Sequence, residues 1–560
     1  MKQGADMVTP GPDSGDGRIA SRRNVLLAAG LFAGAAAADL YLGQSGSARG
    51  ATPPLRDSAL TTSARPVWLA GPTSTPSDKD WLALQHKLST DKLVRPGQAD
   101  YNSAKQLFDP AYDSLRPAGI AYCAKPADVA ACISFCTHFS LPLRVRAGGH
   151  SYEGWSSLNN GLIIDVTRMN GFKVGTGNVT AGAGTRLIDF YNGLAAHGKA
   201  VPAGSCPTVG LAGLALGGGI GVLARIYGLT CDNLQSIDIV TADGVTQTCT
   251  PTNNNKNLFW ASQGGGGGNF GVATSFTFKT HDLTSLYLFG MSWDWKYAGR
   301  VVSAWQSWAP HAPDALWANM HLSAATGGPP HIGAGGTYVG SLAALNKLID
   351  QFIHMVGVAP LSPVRPVQNS FLQAMLAEAG CSNYPSCHLP PTGNLQRVPW
   401  YAKSDFFSKP LDSAGINVLL RGIEGLARVH GAAGGNGSIS FDALGGQVNR
   451  IGRQDTAFVH RDALWVSQYY TGWNWPGTAA GRTNQFNWMT SFYDSLHPHG
   501  NGQAYQNYID AHLKNWQNEY YGINYPRLQE VKTQYDKGRV FNFPQAIQPL
   551  SVSSCTVPDC

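Results

Sequence analysis

One stretch of the sequence, residues 144–155, combines residue types that could bind an anion and take part in chemistry. It reads R-V-R-A-G-G-H-S-Y-E-G-W. Residues 141–146 are short and alternating, which is typical of a β-strand, and they run into paired glycines where the backbone can turn tightly. Successive main-chain N–H groups in such a turn form an anion-binding nest, with His150 and Ser151 at its exit. The pattern also fits an ordinary Gly-Gly hairpin followed by a solvated histidine.

A second glycine-rich stretch, residues 202–221, favours the ligand-binding interpretation. It reads P-A-G-S-C-P-T-V-G-L-A-G-L-A-L-G-G-G-I-G and places Cys206 56 residues after His150. The two stretches together resemble the berberine-bridge-enzyme-like family of flavin oxidases, whose cofactor domain is of the vanillyl-alcohol-oxidase (PCMH) type. The family's patterns are R-x-G-G-H-S-x-x-G and G-x-C-x-x-V-G-x-x-G-x-x-x-G-G-G. The resemblance continues over roughly residues 116–547.

The resemblance implies that the chain binds FAD covalently at two points. His150 matches the histidine bonded to the flavin 8α-methyl group, and Cys206 matches the cysteine bonded to C6 of the ring. Residues 269–272, N-F-G-V, match the family's second flavin-facing loop. The full set of cofactor-binding residues implied by the match is His150, Cys206, Arg146, Ala147, Gly148, Gly149, Ser151, Gly204, Ser205, Thr208, Val209, Gly210, Gly213, Gly217, Gly218, Gly219, Gly221, Gly268, Asn269, Phe270, Gly271, Val272 and Asn542.

The candidate catalytic residues lie near the end of the chain. Residues 504–510, A-Y-Q-N-Y-I-D, are similar to the family's A-Y-x-N-Y-x-D element, in which Tyr508 matches the catalytic base and Tyr505 is the other tyrosine. Oxidising a carbon that bears a hydroxyl group requires a base for the O–H proton as the hydride leaves. A tyrosine with a pKa near about 10 needs its phenolate stabilised to act at neutral pH. The position also fits a tyrosine packed in the core.

A third candidate, Gln468, lies in H-R-D-A-L-W-V-S-Q-Y, residues 460–469, which resembles the family's H-R-x-x-L-Y-x-x-Q-Y strand. Some relatives carry a glutamate base at this position, and an amide cannot take that role. We therefore expect Gln468 to hydrogen-bond Tyr508 or the substrate, which favours alcohol oxidation over amine ring closure. Arg461 and Asp462 are expected to form a surface pair.

Val209 is the residue that indicates which electron acceptor the enzyme uses. In the resembling family a valine here accompanies reactivity with O2, and a larger residue accompanies its loss. The resemblance therefore implies an oxidase that forms hydrogen peroxide, although a β-branched side chain at this position also fits simple packing.

Two further glycine runs imitate a dinucleotide-binding fingerprint. Gly266-x-Gly268-x-x-Gly271 is followed by an alternating, strand-like segment, and Gly219-x-Gly221-x-x-Ala224 is preceded by a poor strand. A Rossmann turn instead follows a strand and opens a helix. We therefore reject NAD binding and interpret both runs as loops against the flavin.

The substrate is less well specified by the sequence. Tryptophans of the second half, such as Trp293, Trp295, Trp400, Trp473 and Trp475, could stack on sugar rings, although most large aromatic residues are core residues. We expect a mono- or oligosaccharide. The alternatives are a secondary metabolite, for example a glycosylated polyketide or an alkaloid-like compound, and a secreted flavin-fold binding protein without activity.

These residues must be positioned by a two-domain fold. A chain of 560 residues is longer than the chains that fold around a single hydrophobic core. We predict an α+β, vanillyl-alcohol-oxidase-type FAD-binding fold with an α/β substrate domain, an antiparallel sheet covered by helices on one face. The predicted limits are 1–50 for a signal segment, 51–111 for an N-terminal extension, 112–283 for the FAD-binding domain, 284–510 for the substrate domain and 511–560 for a closing segment returning to the FAD domain.

Charge and cysteine content limit the partners. The net charge of +6 is modest, and the sequence contains no run of Lys and Arg residues. Both features argue against nucleic-acid binding. No cysteine spacing fits a zinc site. If the flavin takes Cys206, nine of the ten cysteines remain, of which Cys381/Cys387 and Cys555/Cys560 are close enough to form small disulfide loops, whereas Cys132 and Cys136 are expected to pack.

The N-terminal segment predicts export. Arg22 and Arg23 precede a weakly apolar run to Ala38, which is typical of a twin-arginine signal and too short to span a membrane comfortably. We expect a secreted monomer that leaves the cytoplasm folded with its cofactor. Its expected partners are the export machinery, a small-molecule substrate and O2, with no membrane contact after cleavage.

Overall fold

The computed structural model describes residues 75–428, 434–474 and 477–551. The predicted signal segment with Arg22 and Arg23, the pair Cys555/Cys560 and Trp475 lie outside the described residues. The elements of the first region are, in chain order, α1 (Asp78–Lys87), β1 (Leu93–Val94), α2 (Tyr101–Ala104), β2 (Gly119–Tyr122), α3 (Pro126–His138), β3 (Leu143–Arg146), β4 (Leu162–Asp165), β5 (Phe172–Val174), β6 (Asn178–Gly182), α4 (Leu187–Ala195), β7 (Lys199–Ala200), α5 (Leu211–Leu216), α6 (Ala224–Tyr227), β8 (Leu234–Val240), β9 (Thr246–Cys249), α7 (Lys256–Ala261), β10 (Val272–Lys279) and β11 (His281–Asp282).

Two sheets organise this first region. The four-stranded sheet has the order β1-β2-β4-β3, in which β2, β4 and β3 are parallel and β1 is antiparallel. The five-stranded antiparallel sheet has the order β5-β6-β10-β8-β9, and β7 pairs with β11. A tight turn at Asp243-Gly244 joins β8 and β9 into a hairpin. Because β1 comes from the predicted N-terminal extension, that extension completes the first sheet.

A large antiparallel sheet dominates the second region. Its seven strands have the order β15-β12-β14-β13-β17-β18-β16. The elements are β12 (Ser285–Trp293), α8 (Ala298–Trp308), β13 (Leu316–Ala325), β14 (His331–Tyr338), α9 (Leu342–Val356), β15 (Val367–Ser370), α10 (Phe371–Glu378), β16 (Trp400–Phe407), α11 (Ser413–Ala427), β17 (Gly435–Ala443), β18 (Trp465–Trp473) and α12 (Ala479–Leu496). The α+β architecture predicted from the sequence is confirmed.

The two faces of this sheet differ in chemistry because side chains alternate along a strand. On β17, Ile439 and Phe441 are fully buried in the apolar core that the sheet shares with α8, α9, α11 and α12. The intervening Ser438, Ser440 and Asp442 occupy the opposite face. The sheet therefore has an apolar face under helices and a polar face turned toward the first region.

The end of the chain returns to the first region through α13 (Trp516–Tyr521) and α14 (Tyr525–Asp536). Leu528, Val531 and Phe541 belong to the same buried core as the strands of the first region. This packing agrees with a closing segment that completes the cofactor domain. The domain limits themselves stay predictions.

One expected surface pair is wrong. The Arg461 guanidinium is 1% exposed and donates to both carboxylate oxygens of Asp232, at 2.9 and 2.7 Å, so it joins the two regions from inside. Asp462 instead lies near Arg453, with 3.6 Å between Oδ2 and Nη1.

The cysteine expectations within the described residues are confirmed. Cys381 and Cys387 form a disulfide, and Cys132 and Cys136 are buried and unpaired. Across residues 75–428, 434–474 and 477–551, none of the helices has the length and apolar character needed to cross a bilayer.

Candidate active site

A cavity of about 830 Å3 lies between the glycine loops of the first region and the polar face of the seven-stranded sheet. This volume is in the range of small-molecule and cofactor sites. Both regions and the closing segment contribute to its lining. The predicted site residues that line it are Ala147, Gly148, Gly149, His150, Ser151, Gly204, Ser205, Cys206, Thr208, Val209, Gly210, Gly213, Gly221, Gly268, Asn269, Gly271, Gln468, Tyr505, Tyr508 and Asn542.

The two principal glycine loops lie back to back. A Cβ added at Gly148 would lie 2.2 Å from the main-chain nitrogen of Gly210, and a Cβ at Gly210 would lie 2.4 Å from that of Gly148. Real Cβ atoms do not approach backbone this closely, so neither position has room for a side chain. The paired glycines of the first motif are therefore required for contact between loops as well as for the turn.

The first loop, which lines the cavity, has a run of unpaired main-chain donors. Within the described chain, the N–H groups of Gly148, Gly149, His150 and Ser151 have no acceptor. Buried N–H groups rarely lack a partner, so such a run is a site for an anionic ligand. Gly213 adds open space, because a Cβ built there would meet nothing within 4 Å. A nest for phosphate oxygens beside a bare main-chain surface fits FAD.

His150 is held in a defined orientation at the edge of the cavity. Its ring stacks on Phe108 at 4.1 Å between centroids, and its Nε2 is 2.8 Å from Thr208 Oγ1. Burial, with a further contribution from the positive charge of Arg186, lowers the pKa of His150 to about 3. The imidazole is therefore neutral at physiological pH, with only Nε2 hydrogen-bonded to the protein.

Cys206 reaches the same cavity from the second loop. The residue is open toward the cavity although protein surrounds it on the other sides, and this burial raises the pKa of its thiol. The sequence placed His150 and Cys206 56 residues apart. The fold brings both to one cavity.

Six predicted cofactor-binding residues do not line the cavity, and their contacts explain why. They are Arg146, Gly217, Gly218, Gly219, Phe270 and Val272. Arg146 is buried and ion-paired to Asp165, at 2.5 Å from Nε to Oδ2. Phe270 and Val272 are core residues.

The triple glycine 217–219 instead packs closely against other parts of the chain, including residues 505–507. A Cβ at Gly217 would lie 2.0 Å from Asn507 Oδ1, and one at Gly219 would lie 2.2 Å from Thr230 Oγ1. These glycines are therefore needed for tertiary packing next to the site.

Tyr505 and Tyr508 have different roles in the structure. Tyr505 is buried, and its Oη accepts hydrogen bonds from the main-chain N–H groups of Gly219 at 2.9 Å and Ile220 at 3.3 Å. Tyr508 lies edge-on to Tyr505, at 4.9 Å between centroids, and faces the cavity. Tyr505 is thus an anchor for the glycine loop, and Tyr508 is the tyrosine available to a ligand.

Burial raises the pKa of Tyr508 well above its ordinary range, and the neighbouring Tyr152 and the negative charge of Asp442 raise it further. The phenol is therefore protonated at neutral pH.

Gln468 contacts a residue that the sequence interpretation did not single out. Its Nε2 donates to Tyr152 Oη at 2.6 Å, and Tyr152 stacks on Tyr508 at 5.5 Å with an interplanar angle of 11°. The expected bond from Gln468 to Tyr508 is therefore replaced by an indirect connection through Tyr152. The signal in the sequence was the position of Tyr152 directly after the nest.

The polar face of the sheet supplies the other residues that sequence reasoning missed. They are Trp317 and His321 on β13, Ser440 and Asp442 on β17, and Tyr470 on β18, with Glu378 at the end of α10. The alternation S-I-S-F-D on β17 was the available signal.

Only part of the predicted tryptophan platform reaches the cavity. Of the candidate tryptophans within the described residues, Trp400 lines the cavity. Trp293 is buried against Phe352, and Trp473 packs against Tyr401. Trp317 was not predicted, and its Nε1 has no hydrogen-bond acceptor in the described chain.

The fold and the site define a class: a two-domain α+β, FAD-dependent oxidoreductase of the vanillyl-alcohol-oxidase type. The FAD-binding-domain family matches residues 117–250, and the berberine and berberine-like family matches residues 504–548. The solved structure of Physcomitrella patens BBE-like 1 has a TM-score of 0.74 at 27% identity, covering 84% of this chain and 99% of that one.

The relatives by sequence narrow the class to a family. The FAD-linked oxidoreductase YgaK of Bacillus subtilis strain 168 is 34% identical over 473 residues, which are 82% of this chain and 97% of YgaK. Chitooligosaccharide oxidase of Gibberella zeae is 28% identical over 486 residues, 83% of this chain and 93% of that protein. The chain belongs to the berberine-bridge-like family of FAD-linked oxidoreductases.

Proposed function

We propose that this FAD-linked oxidoreductase oxidises a carbinol carbon of a sugar or oligosaccharide. The observation that carries the proposal is the polar face of the seven-stranded sheet, which presents hydrogen-bonding side chains and two tryptophans to the cavity. Sugar recognition requires both features, because hydroxyl groups need polar partners and the faces of the ring stack on aromatic side chains. The similarity to a chitooligosaccharide oxidase supports the same substrate class.

The cofactor is proposed to be attached through both His150 and Cys206. Each is open to the same cavity, and the imidazole is neutral, so that one ring nitrogen retains a lone pair for bond formation. Acid-denatured protein should keep its flavin, and a peptide map should show both residues modified. His150→Ala and Cys206→Ala should each retain covalent flavin, whereas the double variant should release it. Cys249→Ala removes a thiol away from the cavity and serves as the control.

In the reaction, FAD supplies the hydride acceptor. Tyr508 is proposed to accept the proton of the substrate hydroxyl in its phenolate form, because its side chain faces the cavity beside the glycine loops. Burial raises the pKa of Tyr508, so the phenolate is a minor form at neutral pH and the proton transfer should become faster as the pH rises. Tyr152, stacked on Tyr508 and hydrogen-bonded by Gln468, fixes the orientation of the phenol. Gln468 therefore acts as a positioning residue.

O2 is proposed as the final electron acceptor, with hydrogen peroxide as its product. Val209 lines the cavity next to the nest, and a valine at this position accompanies reactivity with O2 in the resembling family. The protein is further proposed to be secreted by the twin-arginine route. Replacing Arg22 and Arg23 by lysine should retain the protein in the cytoplasm, and cell fractionation would measure this.

Anaerobic mixing of the holoenzyme with candidate substrates tests the function directly. We expect mono- or oligosaccharides to bleach the flavin absorbance faster than hydrophobic alcohols do. Preferential reduction by a glycosylated polyketide would instead favour tailoring of a secondary metabolite. A yellow protein that no carbinol compound reduces would contradict the proposed activity.

A further inference from the structure

Two buried polar groups that line the cavity have no hydrogen-bond partner among the described residues. Trp317 on β13 is 5% exposed, and its indole Nε1–H has no acceptor. Glu378, the last residue of α10, is 7% exposed, and its Oε2 atom has no partner. Buried polar groups rarely stay unpaired, so two of them on one cavity indicate a ligand that supplies the missing partners.

Both groups lie near the same part of the sheet wall, at Asp442 on β17. Asp442 pairs across the sheet with Asn319, which is two residues from Trp317 and therefore on the same face of β13. Burial, with a contribution from the negative charge of Asp442, raises the pKa of Glu378 to about 8. The part of the cavity between Trp317 and Glu378 is called the 317–378 corner below.

Another part of the chain shows how the same two residue types satisfy each other. Trp295 Nε1 donates to Glu424 Oε1 at 2.9 Å, and neither residue lines the cavity. In the 317–378 corner an indole N–H and a carboxyl oxygen are both present, yet they do not bond each other. Both are therefore available to a ligand.

The unpaired atoms of the corner select the chemistry of the ligand group. The indole N–H needs an acceptor, so an ammonium group does not fit. Asp442 and Glu378 disfavour an anion because like charges repel, and an apolar group would leave both polar groups unpaired. A hydroxyl group satisfies both, because its oxygen accepts from Trp317 Nε1 while its proton is donated to Glu378 Oε2. A carboxyl group can accept this proton bond in either protonation state.

The corner is also close enough to Tyr508 for one ligand to reach both. Burial is the main cause of the raised pKa of Tyr508, and the charge of Asp442 contributes to it as it does for Glu378. Tyr508 and Glu378 therefore both lie around Asp442. A sugar carries hydroxyl groups around the whole rim of its ring, so one can face Tyr508 while another enters the corner.

We propose that Trp317 and Glu378 together bind a hydroxyl group of the sugar other than the one that is oxidised, with the indole N–H as donor and the carboxyl oxygen as acceptor. This inference deepens the proposed function and rests on it. The pair determines specificity, because a sugar that lacks this hydroxyl group leaves two buried polar groups unpaired. Sites built to hydrogen-bond a substrate hydroxyl reject the analogue without it for this reason.

The test measures sugar binding and flavin reduction separately, by anaerobic rapid mixing of the holoenzyme over a range of sugar concentrations. The probes are D-glucose, D-galactose, N-acetyl-D-glucosamine and cellobiose, followed by the monodeoxy derivatives of whichever reduces the flavin fastest. In the parent, one derivative should have an apparent Kd roughly tenfold above that of the complete sugar. Trp317→Phe and Glu378→Leu should each raise the Kd of the complete sugar roughly tenfold and shrink that difference. The limiting rate of flavin reduction should change less than the Kd does.

Matched controls remove the same groups elsewhere in the chain. Trp295→Phe and Glu424→Leu act outside the cavity and should keep the parent Kd. Glu378→Gln keeps a side-chain carbonyl oxygen and should lie closer to the parent than Glu378→Leu does. The flavin-to-protein absorbance ratio shows whether each variant is loaded with cofactor. If Trp317→Phe loads poorly, the comparison of the derivatives is made with Glu378→Leu and Glu378→Gln.

Four results would overturn the inference. If sugars reduce the flavin but the parent, Trp317→Phe and Glu378→Leu share one Kd, the corner binds no hydroxyl group and the proposed function stays intact. A uniform loss of affinity for every derivative would give the two residues a structural role alone. A preference for glucosamine over D-glucose that Glu378→Leu abolishes and Trp317→Phe does not would make the corner an ammonium site. If no carbinol compound reduces the parent flavin, the proposed function and this inference fail together.

Discussion

The two walls of the cavity recognise their ligands with different parts of the chain. The loop wall consists of the glycine loops at 147–151 and 204–213, which present bare main chain. The sheet wall consists of the cavity-facing positions of β13, β17 and β18, which present side chains. On the loop wall, a Cβ at Gly148 would meet backbone at 2.2 Å. On the sheet wall, alternate positions can change without moving a strand.

The loop wall is therefore rigid, whereas the side chains of the sheet wall can be exchanged. Backbone cannot move away from an added atom without displacing its own loop, so the loop wall tolerates little substitution. Side chains such as Ser440 and Asp442 stand on strands whose other face is buried under helices, so their replacement leaves the core intact. The loop wall thus offers main-chain groups together with His150 and Cys206, whereas the sheet wall offers side chains that can be exchanged.

The strongest test of the loop wall is Gly210→Ala. The added methyl group would lie 2.4 Å from the main-chain nitrogen of Gly148, so the two loops must separate and the nest must distort. We expect loss of bound flavin and a decrease of about 1–3 kcal/mol in the free energy of unfolding of the apoprotein. The flavin-to-protein absorbance ratio and chemical denaturation measure these effects. Gly171→Ala, where nothing lies within 4 Å of the added atom, is the matched control. Full flavin loading in Gly210→Ala would show that the loops can separate freely.

The corresponding test on the substrate side is Tyr508→Phe. The ring keeps its stacking on Tyr152, and only the hydroxyl is lost. Flavin reduction should fall by a factor of about 10² to 10⁴, which is typical of a lost general base, while flavin loading stays at the parent level. Rapid-mixing absorbance measures the reductive step. Reduction at the parent rate would place Tyr508 among the packing residues.

Tyr505→Phe should affect stability more than chemistry. The phenol oxygen accepts bonds from the N–H groups of Gly219 and Ile220, and its loss leaves these buried donors unpaired. We expect a decrease of about 1–3 kcal/mol in the free energy of unfolding, with flavin reduction changed less than in Tyr508→Phe. Thermal and chemical denaturation measure the free energy of unfolding, and the same rapid-mixing experiment measures flavin reduction. A larger rate effect in Tyr505→Phe than in Tyr508→Phe would exchange the two assignments.

Val209→Leu should give the smallest effect. The larger side chain fills space on the loop wall, so reoxidation of the reduced enzyme by O2 should slow by roughly tenfold, equivalent to about 1.4 kcal/mol of activation free energy. The reductive half-reaction should be unchanged. The rate of flavin reduction by substrate and the rate of reoxidation by O2 are measured separately in the parent and in the variant. Equal slowing of both would mean that the substitution acts by distorting the loop.

Local elements could be predicted from local pattern. The strand at residues 465–473 and the helix beginning at Leu342 occur where hydrophobic periodicity indicates them. The rejection of a Rossmann turn agrees with the structure, because Gly266–Gly271 leads directly into β10 and not into a helix. Periodicity and turn residues act over a few neighbours, so the sequence carries this information without tertiary context.

The pairing of side chains could not be predicted in the same way. The sequence places Arg461 next to Asp462, whereas the fold pairs Arg461 with Asp232, 229 residues away along the chain. It likewise suggests Tyr508 or the substrate as the partner of Gln468, whereas the protein partner in the fold is Tyr152, 316 residues away. Which residue meets which across such separations depends on how two sheets and a closing segment pack together.

The sequence by itself determined the glycine loops, the nest and the candidates His150, Cys206 and Tyr508, because main-chain turns and short motifs depend on local residue types. Only the tertiary structure decided that Gly217–Gly219 pack against residues such as Asn507 and Thr230, and that Arg146 forms a buried ion pair with Asp165. Only it turned Asp442 and Glu378 toward the cavity, where Glu378 Oε2 has no hydrogen-bond partner within the described chain. The physical reason is that burial, pKa and hydrogen-bond partners belong to a position in space, which distant parts of the chain create together.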